Sequence, residues 1–109
     1  MKRYILTPII LLGIAIGLQS QNIVILHTND THSRIEPVPE TDKYNPDLGG
    51  VVRRAANAEK MRTENDNVLL IDAGDFLQGT PYFNLFKGEV EIEAMNLLQY
   101  DAITLGNHE

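Results

Sequence analysis

Apolar residues gather in three short runs, at 23–26 (IVIL), 68–71 (VLLI) and 102–105 (AITL), and each leads into polar sequence. Runs of this length that do not alternate with polar residues predict parallel strands buried on both faces. Between the first two, residues 51–64 set Val51, Ala55 and Ala58 at helical spacing, with Met61 near the same stripe. Between the second and third, residues 89–99 carry Val90, Ala94, Leu97 and Leu98 at i, i+4, i+7 and i+8, with acidic residues early, where the helix dipole favours them. The order is therefore strand, helix, strand, helix, strand. Right-handed crossovers make that order a parallel α/β unit.

The polar stretches predict loops. Residues 28–48 contain Pro37, Pro39 and Pro46 and do not suit a helix. A connection longer than ~12–15 residues is commonly functional or disordered, and this one opens with Asp30 and His32. Residues 76–88 predict a mixed loop in which Gly79-Thr80-Pro81 permits a sharp turn and Tyr82, Phe83, Leu85 and Phe86 serve as core or cover, with no binding role. Arg53, Arg54, Glu59, Lys60 and Arg62 read as the solvated face of the first helix.

The first twenty residues read as an export signal and not as domain sequence. Met1-Lys2-Arg3 is a positive start, 5–18 is uncharged and mostly apolar, and Gln19-Ser20-Gln21 returns to polar sequence. As a membrane anchor the apolar stretch falls short of the ~20 residues a spanning helix needs, and Thr7, Pro8, Gly13 and Gly17 interrupt it. Cleavage is expected near Ser20, leaving residues 21–109 in the periplasm, at the cell surface or in the medium. The absence of cysteine excludes a disulfide framework and a lipid-modified cysteine. The chain carries 9 basic and 15 acidic residues, a formal charge of −6 that becomes −8 once Lys2 and Arg3 leave with the signal. A nucleic-acid partner is not expected without a basic face. A small anionic substrate stays open, because bound cations would reverse the local sign.

Each strand end carries metal-binding residue types, and open α/β sheets gather ligands just beyond the carboxyl ends of their strands. Asp30 and His32 follow the first run, and in an extended segment both side chains would point to one side; the plainer alternative is a turn-capping Asp30 and a surface His32. Asp72 and Asp75 follow the second run. Asp75 is the candidate bridge, since one carboxylate can span two cations ~3.5–4 Å apart, whereas the more strand-like Asp72 reads as structural. Asn107 and His108 follow the third, and Asn107 alone is equally a polar turn residue. His108 is either a second ligand or a general acid or oxyanion stabiliser facing the substrate. Adjacent side chains seldom reach one ion together, so a ligating Asn107 directs His108 to the substrate. Oxygen and imidazole donors without thiolate suit hard or borderline divalent cations used in hydrolysis.

Together, HTNDTH at 27–32, IDAGD at 71–75 and TLGNHE at 104–109 resemble the opening motifs of the 5′-nucleotidase family within the calcineurin-like metallophosphoesterases. Gly49-Gly50-Val51 and Gly79-Thr80-Pro81 are similar too, so the resemblance covers essentially all of 23–109. It implies two divalent ions (Zn, Mn, Mg, Co or Ca), one bound by Asp30 and His32, the other by Asn107, with Asp75 between them. It implies a catalytic His108 that stabilises the transferring phosphoryl group while metal-activated water attacks, and a nucleotide or related phosphate ester as substrate. Ser33 departs from the glycine of many members, removing no ligand.

The resemblance also implies a larger protein. The expected fold class is the amino-terminal βαβαβ portion of a four-layer α/β/β/α domain, incomplete in this chain, with 1–20 as signal peptide and 21–109 as the start of the catalytic domain. The family pattern continues to an aspartate that orients the catalytic histidine, to further histidine ligands and to a domain that binds the nucleoside, so little activity is expected of this piece alone. The alternative from another class is a non-catalytic exported module that only binds metal or a ligand.

Overall fold

The structure, a computed structural model, describes residues 21–109; the predicted signal peptide lies outside the described residues. The order of elements is β1 (Val24–Thr28), α1 (Val51–Glu64), β2 (Val68–Asp72), α2 (Pro81–Phe86), α3 (Glu89–Leu97) and β3 (Ala102–Ile103). The three strands form one parallel sheet in the order β1-β2-β3. Its register sets Leu26 beside Leu70 and Thr28 beside Asp72, with Asp72 beside Ile103 in turn. All three strands thus finish at one edge.

Parallel neighbours point to the same face, so Leu26 and Leu70 present one apolar surface to the helices. Ala58 from α1, Leu70 and Leu98 make the buried core, bordered by Leu26, Val51, Ala55 and Tyr100. Full burial of a side chain such as Leu70 contributes about 1.5–3 kcal/mol. The opposite face stays open among the described residues, where the paired Ile25 and Leu69 are 58% and 42% exposed. The expectation of strands buried on both faces therefore holds for one face here.

Helix α1 has the predicted bounds. It closes with Asn65, whose side-chain amide donates to Met61 O at 2.9 Å. Two arginines expected on a solvated face have other tasks. Arg62 donates to Leu98 O at 2.8 Å and Gln99 O at 2.7 Å, satisfying carbonyls at the end of α3. Arg54 reaches Tyr100 Oη at 3.4 Å. Long side chains can lay an aliphatic stem along a core and still deliver charge to a neighbouring helix end.

Two readings of the second crossover are corrected. Residues 76–88 contain α2, begun by Pro81 at its first turn and ended by Lys87 in the left-handed region with its N–H on Phe83 O. Of the four residues expected as core or cover, Tyr82 and Phe83 are half-buried, while Leu85 and Phe86 are 74% and 43% exposed, and no residue of α2 is fully buried. In α3 the expected stripe of Val90, Ala94, Leu97 and Leu98 holds at Leu98, 6% exposed, which falls on the stripe of the buried Glu91 and Met95, whereas Leu97, on the stripe of Val90 and Ala94, is 76% exposed. Both stripes have i, i+4, i+7 spacing and differ by one residue, and the charge on Glu91 disguises the buried one. Among the described residues no helix is long and apolar enough to cross a membrane.

Candidate metal centre

The loops beyond β1 and β2 are laced together by their own backbone. Ala73 N donates to Thr28 O at 2.8 Å, Asp30 N to Gly74 O at 3.0 Å, His32 N to Asp75 O at 3.0 Å and Ser33 N to Phe76 O at 2.8 Å. On the β3 side Thr104 N donates to Asp72 O at 3.0 Å. Asp72 is 4% exposed and accepts from Thr28 Oγ1 at 2.5 Å and from Gly74 N at 2.8 Å. These bonds fit the structural role read for it.

This lacing requires unusual backbone. Asp30, His32 and Asp75 have φ of 51°, 44° and 58°, in the left-handed region that Asp and His tolerate better than most residues. The expected extended geometry for 30–32 is therefore replaced by a left-handed turn. Proximity survives by another route, with Asp30 Oδ1 3.7 Å from His32 Nε2. The long loop is ordered by its own turns: Asp42 Oδ1 accepts the amides of Tyr44 and Asn45 at 2.8 Å each. Those bonds, that of Asn45 foremost, hold the Asp42 carboxyl below its ordinary pKa.

From this edge His32, Asp75 and His108 each offer one donor atom, and the three atoms lie within 4.8 Å of one another. The imidazoles of His32 and His108 meet edge to face. Two imidazole nitrogens and a carboxylate oxygen at such spacing fit a divalent cation such as zinc or manganese. Asp30 stands beside this group through His32. Asn107 is exposed and meets the site through its backbone N–H, which donates to Asp75 Oδ1 at 2.7 Å; His108 N does the same at 3.2 Å. A Cβ on Gly106 would lie 1.9 Å from Asp75 Oδ1, so this close approach of carboxylate and loop requires glycine.

The calcineurin-like phosphoesterase family pattern matches residues 23–109. The chain belongs to the calcineurin-like phosphoesterase family. It is 46% identical over 105 residues to the snake venom 5′-nucleotidase of Crotalus adamanteus, covering 90% of this chain and 17% of that protein. The solved 5′-nucleotidase precursor of Thermus thermophilus superposes with a TM-score of 0.71 at 42% identity, over 80% of this chain and 17% of that one. The NAD nucleotidase of Haemophilus influenzae gives 0.71 at 39% identity, over 80% of this chain and 16% of that one. The chain thus spans about a sixth of the length of these relatives. Calcineurin-like phosphoesterases use divalent metals, in keeping with the donor set.

Two residues of this candidate site escaped the sequence reading. Gln78 donates from Nε2 to His108 O at 2.9 Å, while its Oε1 lies 3.3 Å from His108 Nδ1. That pairing suits a proton on Nδ1 and leaves the Nε2 lone pair for a cation. Glu109 accepts from Gly106 N at 2.6 Å, Asp75 N at 2.9 Å and Leu77 N at 3.0 Å. Burial pushes its carboxyl up, but the amides, Leu77 first, outweigh this and hold it below its ordinary pKa. Glu109 was visible only as one more carboxylate in the third motif, and nothing in its spacing pointed to the second loop.

Proposed function

We propose that the complete protein to which this chain belongs is an exported, metal-dependent phosphoesterase that hydrolyses nucleotide phosphate esters in the manner of a 5′-nucleotidase. Residues 1–20 would be its signal peptide and residues 21–109 the amino-terminal part of its catalytic domain. The observation that carries the reading is the convergence of His32, Asp75 and His108 from three separate strand ends to within 4.8 Å. Relatives named as 5′-nucleotidases support the substrate class.

In this reading Asp30 and His32 hold one divalent ion, Asn107 a second, and Asp75 lies between them. Bound metals would supply Lewis-acid stabilisation of the phosphoryl oxygens and lower the pKa of water. His108 would stabilise the phosphoryl group and its leaving oxygen. The closeness of His108 to His32 and Asp75 favours a second assignment, in which its imidazole is itself a ligand.

The test is phosphate release by the complete protein from nucleoside 5′-monophosphates, set against metal content in the wild type and in His108→Ala. Loss of phosphate release with metal retained supports the catalytic assignment, and loss of both supports the ligand. A complete protein that binds metal stoichiometrically and releases no phosphate from any ester is instead a binding module. Export predicts a mature amino terminus near Gln21.

A further inference from the structure

Two carboxylates at the strand ends each accept the backbone amides of the other's loop. Asp75, beyond β2, takes the N–H groups of Asn107 and His108 on Oδ1, at 2.7 and 3.2 Å. Glu109, beyond β3, takes the N–H groups of Asp75 and Leu77, at 2.9 and 3.0 Å, and that of Gly106 at 2.6 Å. We propose that Glu109 is a positioning residue: this exchange locks the loop bearing Asp75 to the loop bearing His108 and so sets the spacing of the donor atoms that meet the cation. The functional half of the proposal rests on the reading of His32, Asp75 and His108 as metal donors; the lock itself does not.

The chemistry of the exchange makes a carboxylate specific. Glu109 faces only donors, one on Oε1 and two on Oε2, so an amide side chain would turn its NH2 against at least one N–H. Aspartate keeps the charge and loses one methylene of reach. Gly106 gives its N–H to Glu109, and the Asp75 carboxylate lies where a Cβ on Gly106 would stand. Charge-assisted bonds from backbone N–H groups are among the stronger hydrogen bonds, and here they span two loops that must agree in position for one ion to be shared.

The experiment uses the complete protein, with Glu109→Gln and Glu109→Asp. In chelated protein, amide hydrogen exchange at Asp75, Leu77 and Gly106 is expected to accelerate ~10-fold or more in Glu109→Gln, with the β1–β2 pairs unchanged. Mn²⁺ affinity, measured by titration calorimetry, is expected to weaken ~10–100-fold, as for other groups that orient metal ligands, and Glu109→Asp is expected to recover part of it. Unchanged exchange at the three amides overturns the lock. Faster exchange with Mn²⁺ affinity within twofold of wild type overturns the positioning role. A wild type that binds no Mn²⁺, Zn²⁺ or Co²⁺ overturns the metal reading and the positioning role with it, a result distinct from the other two. Should Glu109→Gln fail to fold by circular dichroism, Glu109→Asp carries the same comparison.

Discussion

The rings of His32 and His108 stand edge to face, 4.9 Å between centroids and 85° between planes. One follows β1 and the other β3, and a donor atom of each lies within 4.8 Å of a carboxylate oxygen of Asp75 from the loop of β2. If both rings serve one cation, neither histidine is replaceable without loss of metal binding. His32→Ala is expected to abolish tight binding of one divalent ion, as read by metal content after dialysis against trace metal. Undiminished stoichiometry in that variant contradicts the assignment.

Gln78 holds His108 from both the ring and the backbone side. Gln78→Ala is expected to lower kcat by ~10–100-fold, the usual effect of removing a partner that orients a site histidine. Steady-state kinetics on the complete protein checks this, and an unaltered kcat removes Gln78 from the site.

Gly79 has φ of +108°, and a Cβ there would lie 2.8 Å from His32 Cβ and 2.9 Å from His32 O. Gly79→Ala is expected to displace His32 and weaken metal binding while the sheet stays folded. Calorimetric titration with Mn²⁺ beside circular dichroism separates the two effects, and wild-type affinity in the variant argues against the contact.

The phase of α3 can be tested with two neighbouring leucines. Leu98→Ala is expected to cost about 2–5 kcal/mol through a cavity in the core. Leu97→Ala is expected to stay within about 0.5 kcal/mol, as exposed substitutions do. Urea denaturation decides, and the reverse order would restore the stripe through Leu97.

Tyr82 Oη donates to Glu36 Oε1 at 3.0 Å, and that bond raises the phenol above its ordinary pKa. A raised folded pKa means the contribution is complete below the unfolded value near 10 and is lost as pH rises through the folded value. Glu36→Gln is expected to bring the Tyr82 titration, followed by ring resonances in NMR, back toward the ordinary value. An identical titration in wild type and variant contradicts the pairing.

The legible parts of this chain are those fixed by local pattern. Val51, Ala55 and Ala58 marked α1 because an amphipathic stripe needs no knowledge of its partner, and the three apolar runs marked the strands for the same reason. Residue type at the strand ends put forward Asp30, His32, Asp72, Asp75, Asn107 and His108, and of these the fold brings donor atoms of His32, Asp75 and His108 together. What stayed hidden depends on long-range contact. Arg62 looks solvated until α3 ends beside it, and Glu109 looks spare until the amides of Asp75 and Leu77 arrive. Glu91 misled in the opposite sense, since a charge at a buried position contradicts the ordinary pattern.

If the three strand-end loops form a divalent-metal centre for phosphate-ester hydrolysis, turnover must depend on the bound metal. That dependence is tested most directly by phosphate release from a nucleoside 5′-monophosphate, using the complete protein before chelation, after chelation, and after Mn²⁺ is restored. Release is expected to fall to background on chelation and to return with the metal, and not to return in Asp75→Asn. Release that continues at its full rate in chelated protein, or in Asp75→Asn, would contradict it.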